Sequence, residues 1–172
     1  CFPAGYLNTY VLQTFTNNNP INNALLIGFF AGGLIEELLK FFALLFYLPT
    51  QKKLKKFDIV IFALFISLSF AVYENFGYVF NPSGASYEIA FLRAFTAVPM
   101  HIFNGIIMGY FFEFYSKTGD NKFLGYTVLL PIILHGSYNF FVSENLLIAK
   151  GIILLQVFLA YRLKVMYDNN IK

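Results

Sequence analysis

Seven ionisable side chains stand inside stretches that otherwise read as lipid-soluble: Glu36, Glu37, Lys40, Glu74, Arg93, His101 and His135. On insertion scales each such group at mid-membrane costs about 2.5–3.5 kcal/mol. They must therefore face one another or water rather than lipid. Imidazoles and carboxylates together are the usual donors to a catalytic zinc that keeps an open water position. The same groups also work without metal. A buried glutamate can take a proton from water as a general base, and a histidine and an asparagine can donate to the oxyanion of a tetrahedral intermediate. Both routes end in hydrolysis. No HExxH occurs, so metal ligands would come from separate helices. Ser67, Ser69 and Ser137 lack an evident base, and Cys1 is terminal, so no nucleophile stands out.

The elements that must position these groups are membrane spans. The chain has 172 residues, 58% of them hydrophobic and only 12% charged, with 23 Phe. A water-soluble domain of this size could not bury so much apolar surface. One cysteine excludes a disulfide framework and a cysteine zinc site. No cleavable signal peptide is visible, and a start at Cys1 reads as a processed or truncated chain, with lipidation of that cysteine the lesser alternative. Runs at 21–48, 57–80, 87–115, 122–142 and 145–167 are long enough to cross a bilayer. The expected fold is an all-α integral membrane protein, a polytopic bundle of about five transmembrane helices around a central polar cavity. Residues 1–20 are expected to form an exposed extracytoplasmic segment, and 21–172 a single transmembrane domain. No internal repeat is visible.

Basic residues set the orientation. Lys52, Lys53, Lys55 and Lys56 lie in 49–56, Lys117 and Lys122 in 116–122, and Arg162, Lys164 and Lys172 towards the C-terminus. By the positive-inside rule these three segments are cytoplasmic, and 1–20, 81–86 and 143–145 lie outside. A cytoplasmic loop explains "QKKLKK" better than a nucleic-acid patch, so no nucleic-acid partner is expected.

Helical spacing favours convergence. Glu36 and Lys40, Glu74 and Tyr78, and His135 and Asn139 are i,i+4 pairs, and Arg93 and His101 are eight apart. Glu37 is turned by about 100° from Glu36, so one carboxylate can point into a cavity while the other bonds a neighbouring helix. At ~1.5 Å per residue the set occupies a band about 10–20 Å below the outer surface. Pro99 and Pro131 free a carbonyl one turn before them and can bend the helices beside the histidines. Gly32, Gly33, Gly105, Gly109 and Gly136 allow close helix approach. Taken singly, each polar residue reads as an interhelical bonding partner, Glu36–Lys40 as a buried ion pair and Arg93 as a counter-ion. Tyr73, Tyr78, Tyr110 and Asn75 read as anchors or packing. Glu88, Glu113 and Glu144 lie near helix ends and read as solvated.

Four stretches carry a resemblance. "EELLK" (36–40), "FAVYEN" (70–75), "HIFNG" (101–105) and "HGSYN" (135–139) resemble, in order, the EExxK, FAxxEN, HxxxG and HxxxN motifs of the PrsW family of intramembrane proteases. That family is related to the CAAX-protease and bacteriocin-processing group. The resemblance implies a multi-pass cell-membrane endopeptidase that cleaves single-pass or membrane-anchored proteins, such as anti-sigma factors, near the outer face. It implies Glu36 and Glu37 as the glutamate pair, with Glu36 the water-activating base. His101 would assist that base or bind metal. His135 and Asn139 would stabilise the oxyanion, or His135 would bind metal. Glu36, His101 and His135 are thus the implied zinc ligands, with a metal-free route still open. Lys40, Glu74, Asn75 and Arg93 are the expected supporting residues. Relatives usually carry further membrane-spanning sequence before the EExxK helix. Two rival readings remain: an ion- or proton-coupled transporter or channel, which gradient-driven flux without cleavage would reveal, and a non-catalytic membrane scaffold of the same fold.

Overall fold

The computed structural model describes residues 2–48, 54–80 and 87–170. The expectations for Cys1, for the basic residues of 49–53 and for the 81–86 loop fall outside them. All the regular structure described is helical. In chain order the elements are α1 (Phe2–Phe15), α2 (Pro20–Leu25), a π-helical segment (Leu26–Glu36), α3 (Glu37–Tyr47), α4 (Asp58–Val79), α5 (Tyr87–Phe95), α6 (Ala97–Thr118), α7 (Asn121–Glu144) and α8 (Leu146–Asn170).

Local chemistry sets several of these boundaries. Asn19 caps α2, its side chain accepting from the amides of Ile21 and Asn22 at 3.0 and 3.3 Å, and Pro20 follows at the first helical position, where its missing N–H costs nothing. Asp120 accepts from the Lys122 amide at 3.0 Å and caps α7. Gly119 ends α6 in the left-handed conformation, φ 69°. The run expected as one span over 87–115 breaks at Thr96, φ −127° and ψ −70°. Pro99 lacks the N–H that would bond the Phe95 carbonyl, so the proline divides α5 from α6 there. Pro131 instead lies inside a continuous α7. Residues 6–20 are exposed or half-buried, and α1 packs against the π-helical segment.

Among the described residues, three helical stretches are long and apolar enough to cross a membrane: Asp58–Val79, the α5–α6 pair over Tyr87–Thr118, and Leu146–Asn169. The 21–48 run is divided by its π segment, and the polar "HGSYN" stretch dilutes α7. The chain is inverted relative to a water-soluble protein. Phe46 is 85% and Leu147 79% exposed, whereas Glu37, Lys40, Asn104 and Gln156 are fully buried. Such a surface suits hydrocarbon, and the interior holds the polar groups that hydrocarbon would reject.

The tightest helix pair is α4 against α6. A Cβ on Gly109 would lie 2.6 Å from the Val60 Cα, and one on Gly105 would lie 2.7 Å from the Ala63 carbonyl oxygen. The G-I-I-M-G spacing thus lets two backbones touch, the usual way apolar helices associate where water supplies no driving force. At the same end of the bundle, Glu113 corrects the expectation of a solvated carboxylate: it is 1% exposed. It accepts hydrogen bonds from the Tyr167 hydroxyl and from the Phe57 amide. Phe57 itself sits at φ 70°, a backbone that a bulky residue adopts only under constraint. Glu113 therefore ties α8 and the start of α4 to α6.

Gly109→Val is expected to lower stability by about 1–3 kcal/mol or more through overpacking. Gly125→Ala, where a Cβ meets nothing within 4 Å, is expected to be neutral or mildly stabilising. Thermal unfolding in detergent compares the two.

Candidate active site

Glu36 closes the π-helical segment and Glu37 opens α3. Short π-helical stretches inside α-helices recur at functional sites. The two carboxylates diverge as their spacing requires. Glu37 is fully buried and accepts from Lys40 Nζ at 2.6 Å and from His135 Nδ1 at 2.7 Å, both at Oε1. Glu36 lines a cavity of about 850 Å³. The expected Glu36–Lys40 ion pair is therefore corrected to Glu37–Lys40, an i,i+3 pair.

Lys40 also lies 2.8 Å from His101 Nδ1. Before any metal binds, Lys40 donates to that nitrogen and the ring proton of His101 stands on Nε2. His135 has the opposite tautomer: Nδ1–H donates to Glu37 and Nε2 keeps its lone pair. The two rings meet edge to face, with centroids 4.8 Å apart. Glu74 reaches this group from α4. Its Oε2 accepts from Arg93 at 2.6 Å and lies 3.5 Å from His101 Nε2. The latter contact has the distance of an ion pair but not the geometry of a hydrogen bond, and Nε2 has no other partner. Glu74 and Glu36 line the same cavity. Arg93 stacks its guanidinium over Tyr78, 4.3 Å from the ring centroid.

Asn139 lines the same cavity, together with Glu74, Arg93 and, from α1, Asn8 and Leu12. Gly32 makes room for it: a Cβ there would stand 2.1 Å from Asn139 Nδ2 and 3.6 Å from His135 Nε2. The sequence-predicted residues Glu36, Glu37, Lys40, Glu74, Arg93, His101, His135 and Asn139 thus come together at one place. Asn75 does not. Its amide donates to the Ala90 carbonyl at 3.0 Å, tying α4 to α5 away from the cavity. Asn104 and Gln156, both fully buried beside the cluster, escaped a reading centred on ionisable side chains. A lone glutamine in "GIILLQVFLA" was the available signal, since any buried polar group in an apolar span needs a partner.

Among the described residues, donor atoms of Glu36, His101 and His135 all lie within 4.8 Å of one another, and all three side chains are buried. Glu36 Oε2 and His101 Nε2 have no hydrogen-bond partner, a costly state for buried polar atoms unless something else engages them. His135 bonds its carboxylate as metal-ligating histidines do. This donor set fits a divalent metal of the zinc type, provided the ion displaces the Nε2 proton of His101 and Lys40 passes one of its own protons to Nδ1, leaving a neutral imidazole beside a neutral amine.

Comparison with known proteins identifies the family. The sequence model of one family, described as PrsW family intramembrane metalloprotease, matches residues 1–164. The chain belongs to the PrsW family. It is 38% identical over 151 residues to Protease PrsW of Oceanobacillus iheyensis, covering 83% of this chain and 68% of that one. It is 31% identical over 136 residues to Protease PrsW of Clostridioides difficile, covering 76% of this chain and 57% of that one. It is also 31% identical over 146 residues to Protease PrsW of Bacillus subtilis, covering 83% and 64%. The chain therefore spans between 57% and 68% of the length of these PrsW relatives. No solved structure matches it.

Removing the counter-ion tests the cluster's energetics. Lys40→Met leaves Glu37 charged and half-partnered, and is expected to cost about 3–5 kcal/mol. The double variant Lys40→Met/Glu37→Leu is expected to recover part of that loss. Unfolding midpoints in detergent measure both.

Proposed function

We propose that the protein is a membrane-embedded endopeptidase that hydrolyses peptide bonds of membrane-anchored proteins, an anti-sigma factor being one such substrate. The observation that carries this reading is the convergence of Glu36, His101 and His135, from three helices, beside a cavity lined by Glu74 and Asn139. Membership of a family of intramembrane metalloproteases supports it. In this reading about five spans cross the cell membrane, with the π segment and α7 completing the three apolar helices. Loops 49–56 and 116–122 and the C-terminus are cytoplasmic, and the cavity opens towards the other side.

Glu36, His135 and, once Nε2 is free of its proton, His101 would hold a zinc ion. That ion supplies Lewis acidity to activate water and polarise the scissile carbonyl. The chain's own groups do the rest. The proton lost by water passes to Glu74, which lines the cavity beside His101. Arg93 keeps Glu74 turned towards His101. Asn139 Nδ2 donates to the carbonyl oxygen as charge develops on it. Glu74 then returns the proton to the departing amine. Glu37 does not reach the cavity; it holds His135 and Lys40.

Purified protein is expected to cleave a single-pass substrate, and Glu36→Gln and His135→Ala are each expected to reduce the rate by at least about 100-fold. Chelation is expected to abolish cleavage and zinc to restore it. Full activity of Glu36→Gln would defeat the reading. Ion flux in liposomes without cleavage would favour a transporter.

A further inference from the structure

A chain of buried amides runs from α8 into the site. Gln156 Nε2 donates to Asn104 Oδ1 at 2.7 Å. This fixes which way the Asn104 amide faces, because its oxygen is already engaged. Asn104 Nδ2 then points the other way, 3.1 Å from the Pro131 carbonyl and 3.5 Å from Glu37 Oε1. Both amide side chains are fully buried. Pro131 lies one turn before His135 on α7, and Glu37 Oε1 is the atom that accepts from His135 Nδ1. Asn104 therefore touches both sides of the Glu37–His135 contact: the carboxylate, and the helix that carries the imidazole.

We propose that Asn104 and Gln156 are positioning residues that act in series to fix the Glu37 carboxylate against His135. The inference rests on the hydrolase reading above and adds to it two residues on α6 and α8. Without the Gln156 donor, the Asn104 oxygen is left buried and unpaired, and the amide shifts from the position in which its nitrogen meets Glu37 and the Pro131 carbonyl. The His135 ring then loses its fixed orientation. Groups that orient a ligating histidine typically change metal affinity or rate by about 10–100-fold. The four sequence motifs place no role on either residue, and Gln156 lies outside them.

The test uses the whole chain in detergent, with three readouts: kcat and KM on a single-pass substrate, zinc affinity, and thermal unfolding. Gln156→Met and Asn104→Leu are each expected to lower kcat and weaken zinc binding by roughly 10-fold, with KM nearly unchanged. Two steps in series give one loss, so the double variant is expected to match the worse single variant. Thr127→Val supplies the control: Thr127 is equally buried but bonds only the Phe123 carbonyl of its own helix, at 2.8 Å, and no change in kcat is expected. Should Gln156→Met fail to accumulate, Gln156→Asn, which withdraws the amide by one methylene, carries the same expectation. Wild-type kcat and zinc affinity in the Gln156 and Asn104 variants would overturn the proposal. So would multiplicative losses in the double variant that track the unfolding temperature. Failure of the hydrolase reading is separately visible, as full activity in Glu36→Gln.

Discussion

A carboxylate enclosed in an apolar bundle is stable only when charge and hydrogen bonds replace the water it has lost. Glu37 meets that demand at one oxygen. Lys40, His135 and Asn104 converge on Oε1 from α3, α7 and α6, at 2.6, 2.7 and 3.5 Å. Much of the site follows from this contact. Lys40, held by Glu37, sets the tautomer of His101, and His135, held by the same oxygen, keeps Nε2 free. The two imidazoles thus receive opposite tautomers from a single buried ion pair.

The fold serves that arrangement by bringing backbones close. Glycines between α4 and α6, and between the π segment and α7, remove the side chains that would keep the motif-bearing helices apart. The π register in turn separates the duties of adjacent glutamates, leaving Glu36 at the cavity and Glu37 in the interior. Burial of such groups is expensive in hydrocarbon. Their mutual satisfaction, with a few atoms such as Glu36 Oε2 left unengaged, is what a site prepared for a further ligand requires.

Much of this was legible in the sequence, because ionisable residues in apolar helices have few places to go. The cost of exposing Glu36, His101 and His135 to lipid predicted that they would meet, and helical rotation predicted that Glu36 and Glu37 would part. What escaped the sequence depends on register and neighbours. Spacing allows Lys40 to meet Glu36 at i,i+4 or Glu37 at i,i+3 alike, so Lys40 was paired with the wrong glutamate. Glu113 looked solvated because its position near a helix end says nothing of Tyr167, 54 residues away. Asn104 and Gln156 carry no charge, and their importance lies in which way an amide faces, which only the packed helices decide.

The central claim is that Glu37 and Lys40 hold His135 and His101 around a metal position completed by Glu36. X-ray absorption at the zinc edge of the purified, active protein tests it most directly. The account predicts one zinc per chain in a shell of nitrogen and oxygen only, with the scattering signature of two imidazoles. That signature should weaken to one imidazole or vanish in His135→Ala. Active protein without zinc, a sulfur ligand, or a spectrum unchanged by His135→Ala would contradict it.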